Sequence, residues 1–190
     1  LSLIHSKDAI KKVLSVNGAD DELAAFNTLP SEQTENTAIV VGMYRYKAIQ
    51  DSYHVFEMLQ ERNNGLKLIL IGDEKKIPKR LRVNENIIIT GRLEQGEVIE
   101  YLRKAKYYIT TTHIENSFNA ASEGAFLAQE SFISDIGPHR EMIADMPCEK
   151  ILVPRVQRPL LYVKRASLST SHLKTWDNVM TDMLSSIHGG

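Results

Sequence analysis

Five short, nearly continuous apolar runs, each followed by a helix-like segment, constrain the fold of this 190-residue chain more than any other feature. A strand that is apolar at nearly every position is typical of a parallel sheet that is buried on both faces. The sequence therefore predicts an α/β domain, with a Rossmann-like, doubly wound parallel sheet and helices on both faces. The predicted strands lie at 38–42, 66–73, 86–91, 107–112 and 131–135.

Glycines and two cations mark the loops that follow the first three strands. In a doubly wound sheet the ligand crevice lies beyond the carboxyl ends of the strands, so these loops open onto one edge. Arg45 and Lys47 offer a planar guanidinium fork and a compact ammonium group, which together suit a diphosphate. Gly42, Gly72 and Gly91 leave room for a ligand at the strand ends. A solvated basic turn and ordinary strand-ending glycines are the alternatives.

The segment HIENSFNAASEGA, residues 113–125, joins the fourth strand to a helix predicted over about residues 119–129. The first turn of a helix presents N–H groups without intrahelical partners, and together with the helix dipole they attract anions. Ser117 and Asn119 are small and polar, so they let an anion approach the backbone or cap the helix. The sequence therefore places a candidate phosphate site at this junction.

Two glutamates, Glu115 and Glu123, bracket this junction with seven residues between them. Carboxylates repel a phosphate, but they are good acceptors for neighbouring pairs of hydroxyl groups. A nucleotide sugar has such hydroxyls on both sides of its diphosphate, which predicts the ribose for Glu123 and the donor sugar for Glu115. The alternative is a charge at a helix start and a charge on a surface loop, with no ligand.

The pattern of Glu115, seven residues and Glu123 resembles the signature of the group 1, or family four, retaining glycosyltransferases, which have the GT-B fold. The Asn-Ser pair after Glu115 is similar to a variant of the commoner Glu-Gly-Phe-Gly form. The resemblance extends over nearly the whole chain. Its other parts are a hinge at 17–26, a diphosphate loop at 42–47, strand ends at 70–73 and 90–91, and the segment 134–141 after the signature helix.

The resemblance implies a domain organisation and a function. Residues 37–173 would be the C-terminal nucleotide-sugar-binding domain, which is one half of a GT-B fold. Residues 1–36 would be a hinge or linker from the end of a missing N-terminal acceptor domain, and residues 174–190 a C-terminal helix packing across the domain. The implied function is donor binding in a retaining enzyme of polysaccharide or lipopolysaccharide biosynthesis, with a glycan or lipid-linked acceptor. Alone, the chain is expected to be inactive.

The resemblance also assigns roles to residues. Glu115, Arg45 and Lys47 would form the catalytic group, because the two cations neutralise the diphosphate without a metal or a cofactor. The donor is expected to be a UDP- or GDP-sugar. The implied substrate-binding residues are Glu123, Gly42, Gly72, Gly91, Ser117, Phe118 and Asn119.

The sequence departs from the family pattern in three places. Met43 stands where family members often carry an arginine directly after the loop glycine, which leaves that role to Arg45. Ala48 follows the loop lysine in place of glycine or asparagine. Thr111 and Thr112 replace a Pro-Ser pair ahead of the signature, a change expected to affect shape more than chemistry.

Composition and charge exclude several classes of protein. Lys and Arg number 23 against 24 Asp and Glu, so no nucleic-acid partner is expected. Cys148 is the single cysteine, which excludes an internal disulfide and predicts a free, buried thiol. No apolar run approaches the roughly 20 residues of a membrane-spanning helix. These features predict a cytoplasmic protein, peripheral at most at the inner face of the membrane.

Other residues flank the predicted crevice or lie after it. His113 and His139 border the crevice, where each either contacts phosphate or sugar or has no direct role. Near the C-terminus, apolar residues recur at helical spacing, and Trp176 is predicted to anchor this helix in the core. The stripe consists of Trp176, Val179, Met180, Met183, Leu184 and Ile187.

Three other functions stay open at the level of sequence. A nucleotide-sugar epimerase of the same architecture would require further acid and base residues in the other half. A non-catalytic nucleotide-binding module would not need the intact pairs of cations and glutamates. A domain like that of response regulators would need clustered acids and a lysine at strand ends, where this chain has only Asp73 and Asp135 in suitable places.

Overall fold

The computed structural model of the protein describes Leu23 and residues 34–115, 119–173 and 175–188, so most of the predicted hinge lies outside it. Strands alternate with helices over most of this length. The strands are β1 (Glu35–Val41), β2 (Lys67–Ile71), β3 (Ile87–Gly91), β4 (Ala105–Thr110), β5 (Glu130–Ser134), β6 (Cys148–Ile151) and β7 (Leu160–Lys164). The helices are α1 (Ile49–Arg62), α2 (Lys79–Arg82), α3 (Gln95–Lys104), α4 (Asn119–Leu127), α5 (Gly137–Met142) and α6 (Trp176–His188).

The seven strands form one sheet in the order β3-β2-β1-β4-β5-β7-β6. Strands β1 to β5 are parallel, which confirms the α/β, Rossmann-like class predicted from the apolar runs. Strand β7 pairs antiparallel with β5, and β6 pairs antiparallel with β7. The sequence analysis missed both of these strands, so the sheet is mostly parallel, with an antiparallel extension at one edge.

Each face of the sheet is covered by its own apolar core. Along β1, Ile39 belongs to one core and Val40 to the other, as the alternation of a strand requires. Helices α3 and α4 contribute to the first core, where Leu102 and Phe126 are fully buried. Helix α1 contributes Phe56 to the second core. Helices thus pack on both faces, and the loops after the parallel strands lie together at the carboxyl ends of these strands.

Two predictions about apolar side chains are wrong. Trp176, predicted to be a core anchor, is 43% exposed, and Met180 and Leu184 are exposed on the same stripe of α6, whereas Val179 is buried. Helical spacing identifies which residues share a face, but it does not tell what covers that face. Cys148, predicted to be buried, is exposed because it lies on the edge strand β6.

Candidate functional site

The sheet grows outward in two directions from the boundary between β1 and β4. Strands β2 and β3 follow β1 on one side, whereas β4 and β5 lie on the other. In doubly wound sheets the loops diverge at such a reversal and leave a crevice at the carboxyl ends of the strands. The two loops at this point follow β1 and β4, and they contain Lys47 and Glu115.

Hydrogen bonds join these two loops. The N–H of His113 donates to the Tyr46 carbonyl at 2.9 Å. The hydroxyl of Thr111 donates to the Ala48 carbonyl at 2.9 Å, and the hydroxyl of Thr112 lies 3.2 Å from the Tyr46 carbonyl. Both threonines are buried. Thr111 and Thr112, which stand in place of the Pro-Ser pair of the family pattern, therefore link the loop after β1 to the loop after β4.

The central feature of the crevice is an ion pair between Lys47 and Glu115. The Lys47 Nζ lies 2.5 Å from Glu115 Oε2, and the two side chains are only 12% and 15% exposed. Lys47 ends a single 3-10 turn, Arg45–Lys47, and the side chain of Arg45 on the same turn is exposed. The structure thus brings two of the three predicted catalytic residues into contact across 68 residues of sequence.

Two of the three predicted glycines line one side of the crevice. Gly42 and Gly72 border a cavity of about 230 Å³ at the ends of β1 and β2, together with Arg92. Gly72 adopts a φ of +145°, and a Cβ there would lie 2.9 Å from Met43 Cγ. Met43 is buried beneath Gly72, so the position that carries arginine in many family members here belongs to the core. Gly91 turns the chain at the end of β3 with a φ of +78°.

Two aromatic residues of the same loop were not singled out by the sequence analysis. The rings of Tyr44 and Tyr46 stack with centroids 5.4 Å apart and planes 6° apart. The Lys76 ammonium lies 4.2 Å from the Tyr44 ring centroid, a cation–π distance. The two residues flank Arg45 in the chain, and the stacking places their rings on the same side of the turn. Tyr44 also lines the cavity at the ends of β1 and β2.

The second glutamate of the signature has surroundings different from those of the first. Glu123 is buried on α4, with 8% of its surface exposed. The Gln95 side-chain amide, at the start of α3, donates to Glu123 Oε1 at 3.3 Å. Glu115 therefore faces a cation, whereas Glu123 accepts a hydrogen bond from a neutral amide on a neighbouring helix.

A second cavity, of about 400 Å³, lies on the β5 side of Glu115. Its buried floor includes Asp135, which is bonded by Arg140 and by Lys150 Nζ, the latter at 2.7 Å. Hydrogen bonds from Arg140 and Lys150 lower the pKa of Asp135 to about 2. The sequence analysis noted Asp135 only as an acid at a strand end. The structure places it beside the signature loop, with its charge offset by two cations.

Comparisons with known proteins identify the family. The family model described as "Glycosyl transferases group 1" matches residues 21–155, which is well over half of the chain. The chain belongs to the group 1 glycosyltransferases. No curated protein matches the chain in sequence.

Solved structures superpose in part on this glycosyltransferase domain. One is described as the crystal structure of WaaG, a glycosyltransferase involved in lipopolysaccharide biosynthesis. It superposes with a TM-score of 0.51 at 16% sequence identity, and the match covers 69% of this chain and 40% of WaaG. The crystal structure of TarM gives 0.43 at 18% identity, over 60% of this chain and 22% of TarM. The chain thus spans less than half of the length of either protein.

The predicted phosphate site of this glycosyltransferase domain is described only in part. Ser117 and Phe118 lie outside the described residues. Asn119 is the first residue of α4, and it is exposed. The roles of these three residues in holding phosphate and sugar stay predictions.

Neither a metal centre nor a membrane span is found in the described part of the glycosyltransferase domain. Across residues 34–115, 119–173 and 175–188, no three His, Cys, Asp or Glu side chains are grouped as metal ligands. None of the helices within these ranges combines the length and the apolar character needed to cross a membrane. Catalysis without a metal and the location of the protein in the cell stay predictions.

Proposed function

We propose that this domain binds the nucleoside diphosphate sugar donor of a retaining glycosyltransferase. The observation that carries the proposal is the Lys47–Glu115 ion pair, 2.5 Å long and mostly shielded from solvent, at the point where the strand order reverses. A cation and a carboxylate side by side match the two halves of such a donor. Lys47 suits the diphosphate, and Glu115 suits the hydroxyls of the sugar.

The remaining parts of the donor have candidate positions around this pair. The cavity beside Gly42 and Gly72 would hold the base, with little side-chain obstruction from the glycines. Glu123 would accept hydrogen bonds from the ribose hydroxyls. Arg45 is exposed and lies in the chain between the two stacked tyrosines. It would complete the neutralisation of the diphosphate. The proposed donors are UDP- or GDP-sugars.

In the transfer reaction, this domain would act mainly on the leaving group. Charge develops on the diphosphate as the bond to the sugar breaks, and fixed cations stabilise that charge most when water is largely excluded. Lys47 and Arg45 would supply this effect, without a metal, while Glu115 positions the sugar. The acceptor, a glycan or a lipid-linked saccharide of the cell envelope, would be bound by an N-terminal domain. The domain alone would bind the donor but would not transfer the sugar efficiently. The protein would be cytoplasmic or peripheral to the membrane.

A thermal-shift panel of UDP-glucose, UDP-N-acetylglucosamine, GDP-mannose and ADP-glucose tests the proposal. A ligand present at 100 times its dissociation constant stabilises the folded chain by roughly 2.7 kcal/mol. At least one sugar nucleotide is expected to raise the melting temperature, and inorganic sulfate at the same ionic strength is the control for non-specific anion binding. Absence of a shift for every nucleotide, with this chain and with the full-length enzyme, would refute donor binding.

The two glutamates are expected to differ in which ligands they affect. Glu115→Ala should weaken binding of the sugar nucleotide, yet tighten binding of the same diphosphate without its sugar, because Lys47 loses its competing carboxylate. Glu123→Ala should weaken the binding of both ligands, because both contain the ribose whose hydroxyls Glu123 would bind. Isothermal titration calorimetry measures the four affinities, with Glu85→Ala, an exposed glutamate before β3, as the control. Equal losses on both ligands for Glu115→Ala would contradict this division of roles.

A further inference from the structure

His139 is fully buried on the first turn of α5, directly after strand β5. A histidine is seldom so completely enclosed unless its ring nitrogens have assigned partners. Its position is also notable, because the neighbouring strand β4 ends in the loop that carries Glu115. The hydrogen bonds of this imidazole therefore bear on how that loop is held.

The partners of His139 Nδ1 determine where the proton lies. Nδ1 is 2.9 Å from the Ser134 carbonyl, which can only accept, and 3.2 Å from the Ser134 hydroxyl oxygen. That hydroxyl donates its single proton to the Thr112 carbonyl at 2.8 Å, so it offers only lone pairs to the imidazole. Nδ1 must therefore carry a hydrogen, which it shares between the two oxygens of Ser134.

The second nitrogen of the ring has a different status. Burial lowers the pKa of His139 below its usual value, although the hydrogen bond to the Ser134 carbonyl and, to a smaller extent, the nearby Glu115 act in the opposite direction. The imidazole is thus neutral near pH 7, and Nε2 presents a lone pair. Among the residues that the structure describes, this buried atom has no hydrogen-bond partner.

The chain of hydrogen bonds continues from Ser134 to the signature loop. The Thr112 hydroxyl lies 2.7 Å from the Ile114 carbonyl, directly before Glu115, and the same hydroxyl lies 3.2 Å from the Tyr46 carbonyl, directly before Lys47. The shorter of the two contacts is the one to Ile114, so the network from His139 leads mainly to the peptide group directly before Glu115.

We propose that His139 is a positioning residue: its Nδ1–H holds Ser134 and Thr112 so that the β4 loop keeps Glu115 in place to receive the hydroxyls of the donor sugar. This proposal rests on the proposed function. It assigns His139 no contact with the reacting atoms. Its effect should therefore fall on the sugar part of the donor, which Glu115 binds, and not on the nucleoside diphosphate part.

The first test needs no donor. Long-range ¹H–¹⁵N NMR spectra of the wild-type chain at pH 7 should show His139 as the neutral Nδ1–H tautomer, assigned by the resonance that is lost in His139→Asn. Hydrogen exchange of the His113 amide, which donates to Tyr46, should accelerate at least tenfold in His139→Leu and stay within threefold of wild type in His139→Asn. The Asn side-chain amide replaces the Nδ1–H donor, whereas leucine has no donor. An Nε2–H tautomer, or equal exchange rates of the His113 amide in the two variants, would overturn the proposal.

The second test uses the sugar nucleotide of the panel that binds most tightly, together with its sugar-free diphosphate. His139→Leu is expected to lower the affinity for the sugar nucleotide at least tenfold and to change the affinity for the diphosphate by less than twofold. His139→Asn is expected to bind the sugar nucleotide with an affinity within threefold of wild type. Equal losses on both ligands, or no recovery with asparagine, would assign His139 to packing alone. If no sugar nucleotide binds wild type, the proposed function fails, and the spectra and exchange rates of the first test still decide whether His139 holds the loop.

Discussion

Replacement of Gly124 by alanine is expected to lower the free energy of unfolding by about 1–3 kcal/mol or more, because the core cannot accommodate the added methyl group. A Cβ at Gly124 would overlap the ring atoms of Tyr108. Tyr108 is 1% exposed on the central strand β4, so its ring has no space into which to move. Urea denaturation followed by circular dichroism measures the change, with the m-value showing whether unfolding stays two-state.

Gly96 provides the matched control, since it is also a glycine inside a helix. A Cβ at Gly96 meets nothing within 4 Å. Alanine there should therefore stabilise the chain by about 0.4–1 kcal/mol, by reducing the conformational freedom of the unfolded state. Opposite signs for the two substitutions would show that Gly124 is required for contact with β4. A stabilising effect at both positions would contradict the close packing of α4 on Tyr108.

This packing connects the fold to the signature. Gly124 directly follows Glu123, so the distance between α4 and β4 also sets the depth at which Glu123 lies. The helix can approach the strand because most of its first two turns consists of small side chains. They are Ala120, Ala121, Ser122, Gly124 and Ala125.

The sequence predicted the five parallel strands because burial on both faces leaves a near-continuous apolar run. The two antiparallel strands lack that pattern. Strand β6 has the sequence CEKI and is largely exposed at the sheet edge, so its composition matches that of a loop. Strand β7 is apolar and mostly buried, but no helix pattern separates it from β6, and its antiparallel partner β5 precedes it by about 30 residues. Its place in the sheet depends on tertiary contacts.

The sequence supplied candidate site residues but not the contacts between them. Lys47 and Glu115 were each selected because they follow a strand, but their pairing depends on β1 and β4 being neighbours, and strand order is not a local property of the sequence. The same limit applies to His139, whose proposed role comes from Ser134 at the end of β5 and Thr112 in the loop after β4. Spacing within one segment does not reveal such links between segments.

Substitution of Lys47 by methionine is expected to produce the largest loss of ligand affinity. Methionine keeps much of the length and the apolar stem of lysine, so packing against the loop should persist while the charge disappears. A hydrogen bond to a charged group contributes about 1.5–3 kcal/mol, which corresponds to a loss of roughly 10- to 150-fold in affinity for the nucleoside diphosphate. Titration calorimetry with UDP and GDP measures the loss directly.

Two further variants separate the local role of Lys47 from a general effect of charge. Lys104→Met removes an exposed cation at the end of α3, directly before β4 and therefore at the opposite end of the parallel strands from Lys47. This variant should change the affinity by less than twofold. The double variant Lys47→Met/Glu115→Gln removes both charges of the pair. If Lys47 contacts the diphosphate, the double variant should still bind at least tenfold more weakly than wild type, because removal of the Glu115 charge recovers only the part of the loss that is due to repulsion. If its affinity returns to that of wild type, the loss in the single variant came from the unpaired Glu115 carboxylate repelling the phosphates, and direct contact between Lys47 and the diphosphate is refuted.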